Sequence, residues 1–118
     1  MKRILIICRK PPYGTSLSRE AIDIALACAA FEQDMTLLFL DDGVFQLVKD
    51  QQADSINCKN HGKVLSALPL YEVDQIFVDC QSMSKRLITA DDLVVPVENL
   101  SSEDISALMQ KSDVIFNF

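Results

Sequence analysis

The chain has no tryptophan, one histidine and three glycines, and its four cysteines form no CxxC pair. Each scarcity removes a class of function. Cys8, Cys28, Cys58 and Cys80 lie 20 or more positions apart and His61 stands alone, so no metal site is signalled. "PPYGTS" carries one glycine and lacks both GxGxxG and GxxxxGK[ST], which removes the usual phosphate-cradling loops and any cofactor motif. Eleven Lys and Arg stand against 17 Asp and Glu, a net charge of -6. Direct nucleic-acid binding, which needs cations to neutralise phosphates, is therefore not expected. No apolar run reaches the roughly 20 residues of a bilayer-spanning helix. "ILIIC" is too short for a signal-peptide core and runs into "RKPP" instead of a small-residue cleavage site. These readings predict a cytoplasmic protein with no membrane contact. Its thiols are expected to be free, because a reducing compartment disfavours structural disulfides.

What is present is ordinary globular material, 49% hydrophobic and 24% charged. The 118 residues suffice for one core, which predicts a single domain over residues 1–118. Short β-rich runs alternate with helical patterns. "RILIIC" (Arg3–Cys8) is apolar on both faces, as in a buried parallel strand. "KPPYGTS" breaks it, and Ser16 can cap a helix through about Gln33 whose apolar stripe includes Ile22, Leu26 and Ala29. "MTLLFL" (Met35–Leu40) predicts a second strand, and "VFQLVKD" a short helix that Asp41 or Asp42 can cap. Gln51 to Gly62 is polar and undecided. Lys63 to Tyr71 reads as a helix, with Val64, Leu65 and Leu68 inward and Pro69 limiting it. "QIFVD" is a third strand, Ser82 to Leu87 a short helix, and "LVVPV" a fourth strand with Pro96 marking an edge. Ser101-x-x-Asp104 approaches a capping box opening a helix through Lys111. "DVIFNF" (Asp113–Phe118) is the last strand. Five strands with interleaved helices predict a three-layer α/β/α sandwich around a mainly parallel sheet, flavodoxin-like in build.

In such folds chemistry gathers at the carboxyl ends of the strands. Cys8, Asp41, Asp42, Asp79 and Cys80 all fall there. A cysteine between a strand and a helix start sits where backbone amides favour a thiolate, the form that attacks a persulfide. The adjacent Asp79 opposes that effect. Cys80 is thus either a reactive thiol or a small half-buried hydrophobe. Cys8 occupies a comparable edge but has no helix start beside it. Cys28 reads as core, and Cys58 and His61 as exposed loop residues. Phe45, Leu47, Val48, Met83, Phe116 and Phe118 are contact or core residues; sequence does not separate the two. A phosphate-accepting receiver domain would share the fold and use Asp79. However, Asp41-Asp42 follow the second strand instead of the first, and no lysine follows the fifth.

Several stretches together resemble the DsrE/DsrF/DsrH group, also called the TusB/TusC/TusD sulfur-relay subunits. "PYGTSLSREAIDIALACAA" looks like that group's first loop and helix, with Gly14, Arg19-Glu20, Asp23 and Leu26 matching the C-type pattern. "DDGVFQLV" (Asp42-Gly43-Val44-Phe45-Gln46-Leu47 within it) is similar to the stretch that marks the C-type (DsrF-like) subunit. "LPLYEVDQIFVDC" and "DVIFNF" also fit, so the likeness runs end to end. The resemblance implies a heterohexamer with homologous B-type and D-type subunits. Such a complex passes persulfide sulfur to a downstream carrier protein and on to 2-thiouridine at the tRNA wobble position. It implies that the C-type subunit serves mainly as structural partner of the D-type one and is not catalytic alone. It also implies that Cys80 matches the D-type persulfide cysteine, although "QSMSKRL" departs from the small-residue run that follows there. The alternatives are a subunit of a DsrEFH-type complex in intracellular sulfur oxidation, or a stand-alone flavodoxin-like ligand-binding domain.

Overall fold

Four consecutive buried residues, Leu5 to Cys8, place the first strand inside the sheet, flanked on both sides. A computed structural model describes residues 2–11, 16–49, 65–71, 73 and 75–118. In it, β1 (Arg3–Cys8) is followed by α1 (Leu17–Ala30), β2 (Asp34–Phe39) and a 3-10 helix, Asp41–Leu47. A 3-10 turn (Leu68–Tyr71) leads to β3 (Ile76–Asp79) and α2 (Cys80–Lys85). After Ala90–Asp92, another 3-10 turn, come β4 (Glu98–Leu100), α3 (Ser102–Lys111) and β5 (Val114–Asn117). The strand order is β4-β3-β2-β1-β5, and every neighbouring pair is parallel.

Strand periodicity divides the core in two. Ile6, Cys8, Leu37, Phe39, Ile76 and Val78 face α1, joined by Val44, Leu47 and Met83 from later connections. Leu5, Ile7, Leu38 and Leu40 face the other way, against Ile105, Leu108 and Met109 of α3. The described parts of the connections after β1, β2 and β3 thus lie on one face. The fourth, α3, returns over the opposite face and delivers β5 beyond β1. This is the expected three-layer arrangement, with the sheet wholly parallel. No helix among the described residues is long and apolar enough to cross a membrane.

Several predicted boundaries move, each for a local reason. Helix α1 ends at Ala30 instead of Gln33, because Glu32 turns left-handed (φ 54°). Gln33 N then donates to Cys28 O at 3.0 Å, and Glu32 N to Ala29 O at 3.1 Å, a Schellman ending. Ser16 stands at the N-cap without capping; its hydroxyl reaches Glu20 Oε1 at 3.4 Å. "LVVPV" is not a strand. Leu93 and Val95 are buried as an irregular connection, Leu93 bridging Val48. The strand is the more polar Glu98–Leu100 that follows Pro96. Leu65 and Leu68 are buried as expected, whereas Val64, the Gln51–Gly62 stretch, Cys58 and His61 lie outside the described residues.

The capping box is present in full. Asp104 N donates to Ser101 Oγ at 3.2 Å, and Ser101 N donates to Asp104 Oδ2 at 3.3 Å. Among the described residues helix α3 is the helix that covers this face of the sheet, so its start bears directly on that core. Ser101→Ala is expected to cost about 1 kcal/mol and to speed amide exchange in the first turn of α3. Thermal unfolding and hydrogen exchange check both.

Candidate functional site

The chain leaves β3 toward the α1 face, through α2 and Met83, and leaves β4 toward the opposite face, through α3. Connections that diverge in this way open a crevice at the carboxyl ends of the two strands. Cys80 sits at its mouth, exposed, as the first residue of α2. A shallow open cleft of about 570 Å³ is lined there by Cys80, Ser84, Leu87, Ile88, Thr89 and Asn99, among others. A cavity of similar size opens at the amino ends of the strands, between α3 and Arg3, Asp34, Gln75 and Glu98. That cavity is lined by no cysteine, so the carboxyl edge is where sulfur chemistry is available.

The turn carrying Cys80 is tied down on several sides. Asp79 caps α2, accepting from Gln81 N at 3.3 Å. The buried Ser82 hydroxyl donates to Asp79 Oδ2 at 2.7 Å and accepts from Asp41 N at 2.9 Å. One hydroxyl therefore joins the exits of β2 and β3. Arg86 adds a second tie: its guanidinium donates to Asp42 Oδ1 at 3.0 and 3.1 Å and to Ser82 O at 3.2 Å. It also lies 6.0 Å from the Phe45 ring centroid, within cation–π range. Being partly exposed, the ion pair contributes under about 1 kcal/mol, so its role is geometric.

The predicted helix of "VFQLVKD" forms one turn earlier, as the 3-10 helix Asp41–Leu47, and neither aspartate caps it. Leu40 occupies the cap, Asp41 is left-handed (φ 52°), and Asp42 reaches across to Arg86. Buried Gln46 donates to the Lys10 carbonyl at 2.8 Å, fastening this helix to the segment after β1. Helix α2 ends in another Schellman motif. Ile88 N donates to Met83 O at 3.0 Å and Leu87 N to Ser84 O at 3.2 Å. Its left-handed position, usually glycine, is Leu87 (φ 56°), which is also 89% exposed on the cleft rim.

The other candidates separate cleanly. Cys8 is fully buried, and burial pushes its thiol up to about 12 from 9.0. The unfolded chain releases this proton in that window and the folded one does not. Its contribution therefore holds below the lower value and is lost as pH rises toward the upper. Cys28, on α1, is half-buried, and burial raises its thiol as well. Leu47 and Met83 are core, while Phe45 and Phe116 are exposed. Native alkylation near pH 8 is expected to modify Cys80 and to spare Cys8 until denaturant is added; peptide mapping distinguishes them. Modification of Cys8 in the native protein would contradict this burial. Among the described residues no group of three His, Cys, Asp or Glu can hold a metal ion.

The profile of one family, described as DsrE/DsrF-like, matches residues 2–118. The chain belongs to the DsrE/DsrF-like family. Among the relatives of this DsrE/DsrF-like chain is the "Intracellular sulfur oxidation protein DsrF" of Allochromatium vinosum, 39% identical, covering 100% of this chain and 97% of that one. A "Protein TusC homolog" of Pseudomonas aeruginosa is 38% identical, covering 95% and 94%. Another of Vibrio parahaemolyticus is 31% identical over the whole of both. The crystal structure of the ychN protein from E. coli superposes over both chains completely, with a TM-score of 0.86 at 21% identity, which establishes the shared fold. Sequence reasoning placed Cys80 at the strand end but gave no role to Ser82 and did not foresee that Arg86 pairs with Asp42. The available signal was Asp79-x-x-Ser82, a strand-end aspartate with a serine three positions on, a spacing that lets the two side chains meet across a helix start.

Proposed function

We propose that this chain is a C-type subunit of a cytoplasmic sulfur-relay complex, holding and positioning a D-type partner, with Cys80 as an accessory persulfide acceptor. One observation carries the reading: the exposed Cys80 stands at the crevice mouth on a fastened turn, the other described cysteines being buried or half-buried. The family match and the TusC and DsrF relatives support the same reading. In the step itself the Cys80 thiolate attacks the terminal sulfur of a donor persulfide. A new S–S bond forms as the old one breaks, the donor departs as a thiolate, and no external oxidant is consumed. Among the described residues the cleft is lined by no histidine or carboxylate. Leu87 on the cleft rim and Phe45 beside Arg86, both exposed, are contact residues in this reading. The sulfur then passes through the B-type and D-type homologues and a carrier protein toward wobble 2-thiouridine.

Co-purification tests this directly. The chain is expected to co-elute with its two homologues on size exclusion; a chain that ignores both overturns the proposal. A second reading, intracellular sulfur oxidation, is favoured by the name of the 39%-identical relative. Deleting the gene separates the two. Loss of 2-thiouridine supports the tRNA branch, and intact 2-thiouridine with impaired sulfur oxidation supports the other.

A further inference from the structure

Helix α2 ends where the chain turns left-handed, and the residue at that turn is Leu87 (φ 56°). Glycine fills such positions because a Cβ is crowded there, so a bulky side chain on that backbone is strained. Packing does not offset the strain: the leucine is 89% exposed and covers little of the core. An exposed leucine alone is ordinary surface. One that is also strained, on the rim of the cleft that holds Cys80, is not explained by folding. Of the three described non-glycine residues with positive φ, Glu32 and Asp41 are polar, and Leu87 is the apolar one.

The cleft shows what such a residue can do. Met83, Leu87, Ile88 and Ala90 give it apolar walls, and among the described residues no charged side chain lines it. A donor that brings its sulfur to Cys80 lays the residues beside its own cysteine against these walls. Charged flanks would lose hydration there without gaining an ion pair, whereas apolar flanks bury against Leu87. We propose that Leu87 is a specificity-determining residue for sulfur transfer to Cys80, selecting donors whose persulfide cysteine is flanked by apolar residues. The inference rests on the reading of Cys80 as a persulfide acceptor and adds the class of donor. Leu87 touches the flank of the donor and takes no part in the exchange itself. The outer sulfur passes to Cys80, and the donor departs as a thiolate.

Two synthetic hexapeptides, each with a persulfidated central cysteine, test it. One carries leucine and valine beside the cysteine, the other glycine on both sides. Mass spectrometry of the Cys80 peptide over time reads the sulfur taken up. The wild type is expected to favour the apolar donor about tenfold, through the half-saturating concentration and not the limiting rate. Leu87→Gly is expected to bring the two donors within about twofold of each other. Leu87→Met, which keeps an apolar side chain, is expected to retain the preference. Leu87→Gly should also melt at or above the wild-type midpoint, because glycine relieves the left-handed strain. Equal use of both donors by the wild type, a preference that survives Leu87→Gly, or a midpoint lowered by it would each overturn the inference and leave the Cys80 reading standing. A wild type that takes sulfur from neither peptide would overturn both.

Discussion

Gly43→Ala is expected to destabilise the protein by about 3 kcal/mol or more, lowering the thermal midpoint by roughly 10 °C. A Cβ built on Gly43 would overlap the Cys8 carbonyl and stand 3.1 Å from Arg9 N. The clash is backbone against side chain, so no rotamer change relieves it. Nor can the carbonyl simply retreat, because it accepts from Leu40 N at 3.1 Å where β1 and β2 end. Gly43 N itself donates to Leu40 O at 3.0 Å, which fixes the 3-10 helix against the same corner. Relief therefore requires moving the whole Asp41–Leu47 segment, and with it the partners of Ser82 and Arg86. Calorimetric or circular-dichroism melting reads the loss. A variant that melts with the wild type would show that this contact is not held in solution.

Cys80→Ser is expected to abolish persulfide capture on this chain while leaving its folding and assembly intact. The side chain is exposed, and the cap of α2 uses the Asp79 carboxylate and the Gln81 amide, neither of which the substitution touches. The stability change should therefore fall within about 0.5 kcal/mol. A serine hydroxyl cannot form the S–S bond that the proposed step requires. Mass spectrometry of the Cys80 peptide after incubation with a persulfide donor should gain one sulfur atom in the wild type and none in the variant. Measured in a strain carrying only the serine variant, 2-thiouridine at wild-type levels would reduce Cys80 to a bystander and leave the chain a purely structural subunit.

The parts of the fold legible in the sequence are those where one local force decides. Arg3–Cys8 is apolar on both faces because it is an interior strand covered on both sides. Ser101 and Asp104 announce α3 because their capping bonds are local. Cys80 was placed at a carboxyl end because a strand run stops on it. The failures come from reading burial as pairing. Leu93 and Val95 are apolar because the α1-side core needs them, not because they join the sheet, and the true β4 is polar because it is short and at an edge. Asp41 and Asp42 suggested a cap by residue type, but their bonds run to Ser82 and Arg86, about forty positions away, which no local pattern encodes. Leu47 and Met83 were indistinguishable from contact residues for the same reason: an apolar side chain does not say which side of it is protein.

The Ser82 hydroxyl and the Arg86 fork leave Cys80 little freedom to travel. A sulfur atom moves between thiols only at bonding distance, so a thiol rooted in stapled backbone cannot swing from one customer to the next. If Cys80 carries sulfur as proposed, delivery and collection must then be made by visitors with reach of their own, arriving at the rim one after the other. On this view the rim works as a fixed counter, and the speed of the traffic across it is set by the limbs of its neighbours.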